Sequence, residues 1–181
     1  MNITIFGGSA PKPESPEYMA AYNLGYDLAQ LGHTVLTGGY MGIMEAVSKG
    51  ASEAGGHVVG ITCQEIEHWR NTGKNAWVKE EWRQATLHER IIKLIDSCDA
   101  AIALPGGPGT LAEIALMWNR FQIAVTPPKP LIIVGSGWKK VFDTLYSEQK
   151  QYLNQKYMDF LYFSDSIEEI LQIISKNKVT Q

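Results

Sequence analysis

An apolar run at residues 100–104 meets three glycines, Gly106, Gly107 and Gly109, and then opens a helix at Thr110. The run is short enough to be a buried parallel strand, and the strand–glycine–helix order is that of a βα turn. Glycines leave no side chain to hold off a ligand, so backbone N–H groups can close around an anion. The helix that follows aims its positive end at the same place. Glu113 puts a carboxylate one turn inside that helix. The same residues also fit a capping box, in which Thr110 accepts from the Glu113 N–H and Glu113 accepts from the Thr110 N–H. A phosphate cradle and a structural cap both remain open at this point.

The bulk numbers narrow the classes. A chain of 181 residues, 45% hydrophobic and 19% charged, suits a globular protein with a real core, expected as one domain over residues 1–181. A formal net charge of −3 gives no electrostatic reason to expect a nucleic-acid or membrane partner. Apolar runs fall short of the roughly 18 residues a spanning helix needs. Residues 1–6 enter a strand at once and lack the basic start of a signal peptide. Cys63 and Cys98 have no C-x-x-C spacing, and His33, His57, His68 and His88 are dispersed, so no disulfide scaffold and no metal site is expected. A reducing cytoplasm is the expected location.

Short apolar runs alternate with longer amphipathic ones, the pattern of βαβ units around a parallel sheet. The sequence predicts strands at 2–6, 34–36, 57–60, 100–104, 131–134 and 160–163. It predicts helices at 16–31, 42–54, 86–97, 110–123, 137–149 and 166–176. In the third helix Leu87, Ile91, Leu94 and Ile95 recur with helical spacing and form a buried stripe. Leu111, Ile114, Ala115, Trp118 and Phe121 do the same in the fourth, which makes Trp118 a packing residue. Residues 62–82 are a long polar connection carrying Trp69, Trp77, Trp82, His68 and Arg70, with a short extra strand at 78–82. Its length suits a functional lid, and a subunit contact is an equal reading. Residues 177–181 read as a loose tail.

Three of the first four strands run into glycine loops: Gly7, Gly8 and Ser9; Gly38, Gly39 and Gly42; and Pro105 with Gly106, Gly107, Gly109 and Thr110. The expected fold is α/β, a doubly wound Rossmann-like parallel sheet of six to seven strands with order 3-2-1-4-5 at its centre and helices on both faces. Strands 2, 1 and 4 of that order are neighbours, so the three loops converge where ligands bind such sheets. A phosphate-bearing small molecule is the expected ligand. Pro11 and Pro13 occupy the place where a G-x-G-x-x-G helix would start, and no G-x-x-x-x-G-K-[ST] is present. A ligand with one terminal phosphate fits better than a dinucleotide or a triphosphate.

The P-G-G-x-G-T-x-x-E motif at 105–113, with Leu87-His-Glu-Arg90 before it and Gly38-Gly-Tyr-Met-Gly-Ile-Met44 upstream, resembles the Lonely Guy (LOG) family. That resemblance implies a Rossmann-like subunit, a homodimer or higher homo-oligomer, and no cofactor. It implies hydrolysis of the N-glycosidic bond of cytokinin riboside 5′-monophosphates or related nucleotides, giving free base and ribose 5-phosphate. Arg90 and Glu113 match the family's catalytic pair, and Gly106, Gly107, Gly109 and Thr110 match its phosphate loop. Gly8 and Ser9 match part of its first loop. The chain departs from the family pattern at Ile91, Ala112, Thr37 and Glu45, so it looks like a divergent branch. Proteins similar to this family include a molybdenum-cofactor carrier, so a non-catalytic carrier of a phosphorylated ligand is the alternative expectation.

Glu113 is the one acid in the phosphate-loop motif, and a carboxylate beneath the sugar can meet the positive charge that builds as the bond breaks. Arg90 lies at the margin of its helix's apolar stripe, open to two readings: a fork at the site edge or a surface salt bridge.

Overall fold

The computed structural model describes residues 1–178. Its elements follow in the order β1 Asn2–Phe6, α1 Pro16–Gln30, β2 Thr34–Thr37, α2 Ile43–Glu53, β3 Val58–Cys63 and α3 Gln64–Arg70. Then come β4 Glu80–Gln84, α4 Leu87–Asp96, β5 Ala100–Ala103, α5 Pro108–Gln122, β6 Leu131–Val134 and α6 Ser136–Glu148. The described residues end in α7 Gln155–Met158, β7 Leu161–Ser164 and α8 Ile167–Lys178. The predicted tail at 177–181 thus begins inside α8, and its last three positions lie outside the described residues.

All strand pairs are parallel, and the sheet runs β4-β3-β2-β1-β5-β6-β7. This is a doubly wound, Rossmann-like α/β fold. The chain crosses from β1 to β2 on one side and later returns to β5 on the other, which opens a crevice beyond the carboxyl ends of β1 and β5. Alternate strand residues feed two cores. Ile3, Ile5, Val35 and Ile102 pack under α1, α2 and α8 through Leu24, Val47 and Ile174. Leu36, Ile61, Ala101 and Ile133 pack under α4, α5 and α6 through Leu94, Met117 and Phe142. Each fully buried large apolar side chain contributes roughly 1.5–3 kcal/mol against the entropy of ordering the chain.

Three local readings are corrected and one is borne out. The box at Thr110 and Glu113 does not form, because α5 starts two residues earlier. Gly107 is its N-cap and Pro108 takes the first helical position, where its missing N–H costs nothing. The capping box sits at α4 instead, with Thr86 accepting from the Glu89 N–H and Glu89 accepting from that of Thr86. Leu87, Leu111 and Ala115 are exposed; Arg90 and Glu113 are buried in their helices beside the apolar residues. Residues 62–82 are not a structureless connection: β3 reaches Cys63, α3 follows it, and the extra strand forms at Glu80–Gln84 on the sheet's edge. Trp118 does pack in the core, its indole N–H donating to the Tyr157 carbonyl at 2.7 Å.

Candidate functional site

The three glycine loops meet at Gly8. Its N–H donates to the Pro105 carbonyl (3.0 Å) and its own carbonyl accepts from the Ile43 N–H (2.9 Å). These bonds tie the β1, β5 and β2 loops together. A Cβ on Gly8 would stand 3.2 Å from the Gly106 Cα, and one on Gly42 would stand 2.6 Å from the Gly8 oxygen. Gly42 also has φ +72°, a left-handed conformation that side chains resist. A Cβ on Gly106 would collide with the Thr110 side chain, whereas Gly107 and Gly109 face open space. The glycines therefore divide: Gly8, Gly42 and Gly106 permit backbone-to-backbone packing, and Gly107 and Gly109 leave an open approach.

That approach leads into a cavity of about 380 Å³ at the switch point, within the range of small-molecule sites. Its floor is Gly7, Gly8, Ser9 and the first turn of α5, including Gly107, Gly109 and Thr110. The N–H groups of Gly109 and Thr110 lie in the first turn of α5, where a helix offers no carbonyl of its own to receive them.

Arg90 and Glu113 stand together at the back. Arg90 is 5% exposed and Glu113 8%. The Arg90 Nη1 lies 3.6 Å from the Glu113 Oε1, and its Nε donates to the Ile61 carbonyl at 2.8 Å. The guanidinium rests over the Tyr40 ring at 5.5 Å, a cation–π contact. Tyr40 is held in turn by the end of β3: its hydroxyl donates to the Cys63 carbonyl (3.1 Å) and accepts from the Cys63 N–H (2.8 Å). Arg90 is thus no surface salt bridge. Burial pushes the Glu113 carboxyl up from 4.5 to about 7, with the Arg90 charge pulling the other way. A carboxyl titrating there is present in both forms at neutral pH, as acid–base catalysis requires.

Over the mouth lies α3. Its Ile66, Trp69 and Arg70 line the cavity, and Trp69 is 76% exposed. The Arg70 Nη2 donates to the Ser9 Oγ at 3.1 Å, spanning the opening, and its guanidinium stacks on the Trp69 ring at 5.1 Å.

Of the residues singled out from sequence, Gly8, Ser9, Gly107, Gly109, Thr110, Arg90 and Glu113 line this cavity. Pro105 and Gly106 do not line it: the Pro105 carbonyl accepts from the Gly8 N–H, and Gly106 packs against Thr110. Gly38 faces the Arg90 guanidinium, and Gly39, at φ +78°, packs against Thr62. Thr37 and Glu45 serve locally, with Thr37 accepting from the Gly39 N–H and Glu45 from the Tyr18 hydroxyl. The sequence does not assign Tyr40, Met44 or Ile66 to the site, and it names Trp69 and Arg70 only as part of a segment open to a lid or a subunit contact. The tryptophan-rich stretch was the available signal. Trp77 and Trp82 lie elsewhere, against Lys49 and Lys93. Among the described residues no three His, Cys, Asp or Glu side chains gather as metal ligands, and no helix is long and apolar enough to cross a membrane.

A doubly wound sheet whose loops frame a cavity with a buried Arg–Glu pair defines a Rossmann-like α/β protein with a cavity of small-molecule size at the switch point. The model of the SLOG cluster4 family matches residues 1–161, so the chain belongs to that family, and relatives named as LOG phosphoribohydrolases place it with the LOG family. An uncharacterized protein of Archaeoglobus fulgidus is 32% identical over 146 residues, 80% of this chain and 89% of that one. The cytokinin riboside 5′-monophosphate phosphoribohydrolase LOG3 of Arabidopsis thaliana is 34% identical over 128 residues, 69% of this chain. The match spans 59% of that enzyme's length. The structure of the molybdenum cofactor binding protein from the phototrophic bacterium Rippkaea orientalis superposes with a TM-score of 0.73 at 26% identity, covering 97% of this chain and 95% of that one.

Proposed function

We propose that the chain is a nucleoside 5′-monophosphate phosphoribohydrolase. The carrying observation is the buried Arg90–Glu113 pair, with Glu113 titrating at about 7, at the back of a cavity floored by a helix N-terminus. In this reading the 5′-phosphate meets Ser9, Gly107, Gly109 and Thr110, which sets the ribose over Glu113. Water attacks the anomeric carbon, Glu113 takes its proton, and the C–N electron pair leaves with the base, which receives a proton. As positive charge grows on the sugar the carboxylate stabilises it, and Arg90 keeps that carboxylate in position. The cytokinin activity named for the Arabidopsis relative supports the reaction class. A single domain, acting in the cytoplasm as a homodimer, completes the reading. The free, buried Cys63 and Cys98 suit a reducing compartment, and exposed Leu87 and Leu111 beside the cavity suit a subunit contact.

Purified protein incubated with adenine, guanine, pyrimidine and N6-substituted monophosphates should release free base from at least one. Undetectable release across the panel removes the reading. Ile91, an apolar wall residue where the family's hydrolases commonly carry a lysine, favours one other reading: a carrier of a phosphorylated ligand, as the name of the Rippkaea protein suggests. A copurified ligand that mass spectrometry finds unchanged after long incubation would select the carrier.

A further inference from the structure

The cavity holds two arginines in opposite circumstances. Arg90 is buried, with Nε committed to the Ile61 carbonyl, Nη1 facing Glu113, and Nη2 between Gly38 and the Met44 sulfur at 3.8 Å. It is placed to govern a carboxylate and is enclosed on the side away from it. Arg70 stands at the opening. It is half-buried, its Nη2 bond to Ser9 uses one of five donors, and a guanidinium is the side chain best shaped for a phosphate.

The segment that carries Arg70 is anchored. The Glu65 carboxylate accepts from the Leu87 N–H at 2.8 Å, in the first turn of α4, and Glu67 pairs with Arg83 on β4. Asn71, at φ +49°, ends the helix just beyond Arg70. The Ser9 hydroxyl that Arg70 reaches follows Gly8, the residue bonded to the β5–α5 loop. Arg70, Ser9 and the first turn of α5 line the same cavity as Arg90 and Glu113, but Arg70 is half-buried where the other two charges are buried.

The geometry points to Arg70 as the residue that selects a phosphorylated ligand: with Ser9 it holds the terminal phosphate monoester, leaving Arg90 to position Glu113. This rests on the monophosphate reading above and divides the two charges by task. Phosphate entry converts the Arg70–Ser9 bond into two contacts on one anion, and Trp69 turns its exposed face toward the rest of the ligand.

Calorimetric titration with adenosine 5′-monophosphate, adenosine and inorganic phosphate tests this, using the full chain and its Arg70→Gln, Arg70→Lys and Ser9→Ala variants. Arg70→Gln should weaken adenosine monophosphate about tenfold or more and leave adenosine within about twofold. Arg70→Lys should recover part of the loss, and Ser9→Ala should show a smaller loss in the same direction. Inorganic phosphate should follow the monophosphate, with a flatter salt dependence in Arg70→Gln. Equal weakening of nucleotide and nucleoside would make Arg70 a mere wall, and an unchanged affinity for both, or no preference for the nucleotide in the parent chain, would equally overturn the assignment. Base release separates the two claims. A phosphate preference lost in Arg70→Gln without any hydrolysis by the parent keeps the subsite and removes the hydrolase. Hydrolysis with an unaltered KM in Arg70→Gln does the reverse.

Discussion

Gly38 gives Arg90 its place: the space a Cβ on Gly38 would fill is occupied by the Arg90 guanidinium. A glycine in the loop after β2 therefore shapes the ion pair at the back of the cavity without lining it. Gly38→Ala should push the guanidinium off Glu113 and lower turnover at least tenfold. Overpacking of this kind costs roughly 1–3 kcal/mol, so the melting temperature should fall as well. Steady-state base release and thermal melting read the two effects, and unchanged turnover would show that Arg90 tolerates displacement.

Removing the Glu113 charge should nearly abolish turnover. Glu113→Gln keeps the shape but can neither take a proton from water nor carry the negative charge, so base release should drop about 10²–10⁴-fold. In the parent chain activity should rise with pH through about 7, as Glu113 ionises. A pH–rate profile flat between 5 and 8 would contradict this role.

The same raised carboxyl has a stability signature. Its folded value of about 7 lies above the usual 4.5, so the folded chain holds a proton that the unfolded chain gives up between those values. The stabilisation is complete below about 4.5 and is lost as pH rises through about 7. The loss is on the order of 3 kcal/mol. Denaturant titrations of the parent chain and Glu113→Gln should therefore diverge in favour of the variant over that window and run parallel above it.

Arg90 holds the Glu113 value down, so its removal should move the pH profile to the alkaline side. Arg90→Gln should show a higher midpoint and a lower plateau of base release. The Ile61 carbonyl then accepts from a weaker, neutral donor, and Glu113 loses its counter-charge. A lower plateau at an unshifted midpoint would assign Arg90 to substrate binding alone.

Neighbouring glycines of the β5–α5 loop should respond oppositely. Gly109 faces open space in the first turn of α5, so Gly109→Ala should stabilise the fold by about 0.4–1 kcal/mol while weakening monophosphate binding. Gly106→Ala meets Thr110 and the Gly8 amide and should destabilise by roughly 1–3 kcal/mol. Paired melting and titration of the two variants check this, and a like response from both would refute the division between them.

The sheet was legible because β1, β2, β5 and β6 are short apolar runs closed by glycine or proline, and such runs have few other uses. The edge strand β4 was placed two residues early. Its Glu80, Glu81 and Arg83 are exposed at the margin of the sheet, so no apolar alternation marks its ends. Helix α3 was missed for a related reason: it buries none of its residues and is held by Glu65 and Glu67 to other elements, which no local periodicity reports. Arg90 and Glu113 stood out through a resemblance, yet their burial could not be read from spacing. Each lies among apolar residues of its own helix, and only the packing of α4 beside α5 turns them toward one another. The glycines stood out by type alone. Whether each makes room for a ligand, as Gly109 does, or for another loop, as Gly8 does, depends on neighbours distant in sequence.

Because Gly8 is bonded to one neighbouring loop through its nitrogen and to another through its oxygen, the base of the cavity has almost no freedom to vary. Three turns share that residue, and a side chain on any of its close-packed glycine partners would pry them apart. Helix α3 is under less constraint, since Ile66 and Trp69 line the cavity, Arg70 bonds only the Ser9 hydroxyl across it, and Glu65 and Glu67 hold the helix in place. Substitutions at Ile66 and Trp69 can therefore reshape the cavity's mouth, like a changed lid on an unchanged vessel, while the loops beneath keep their positions.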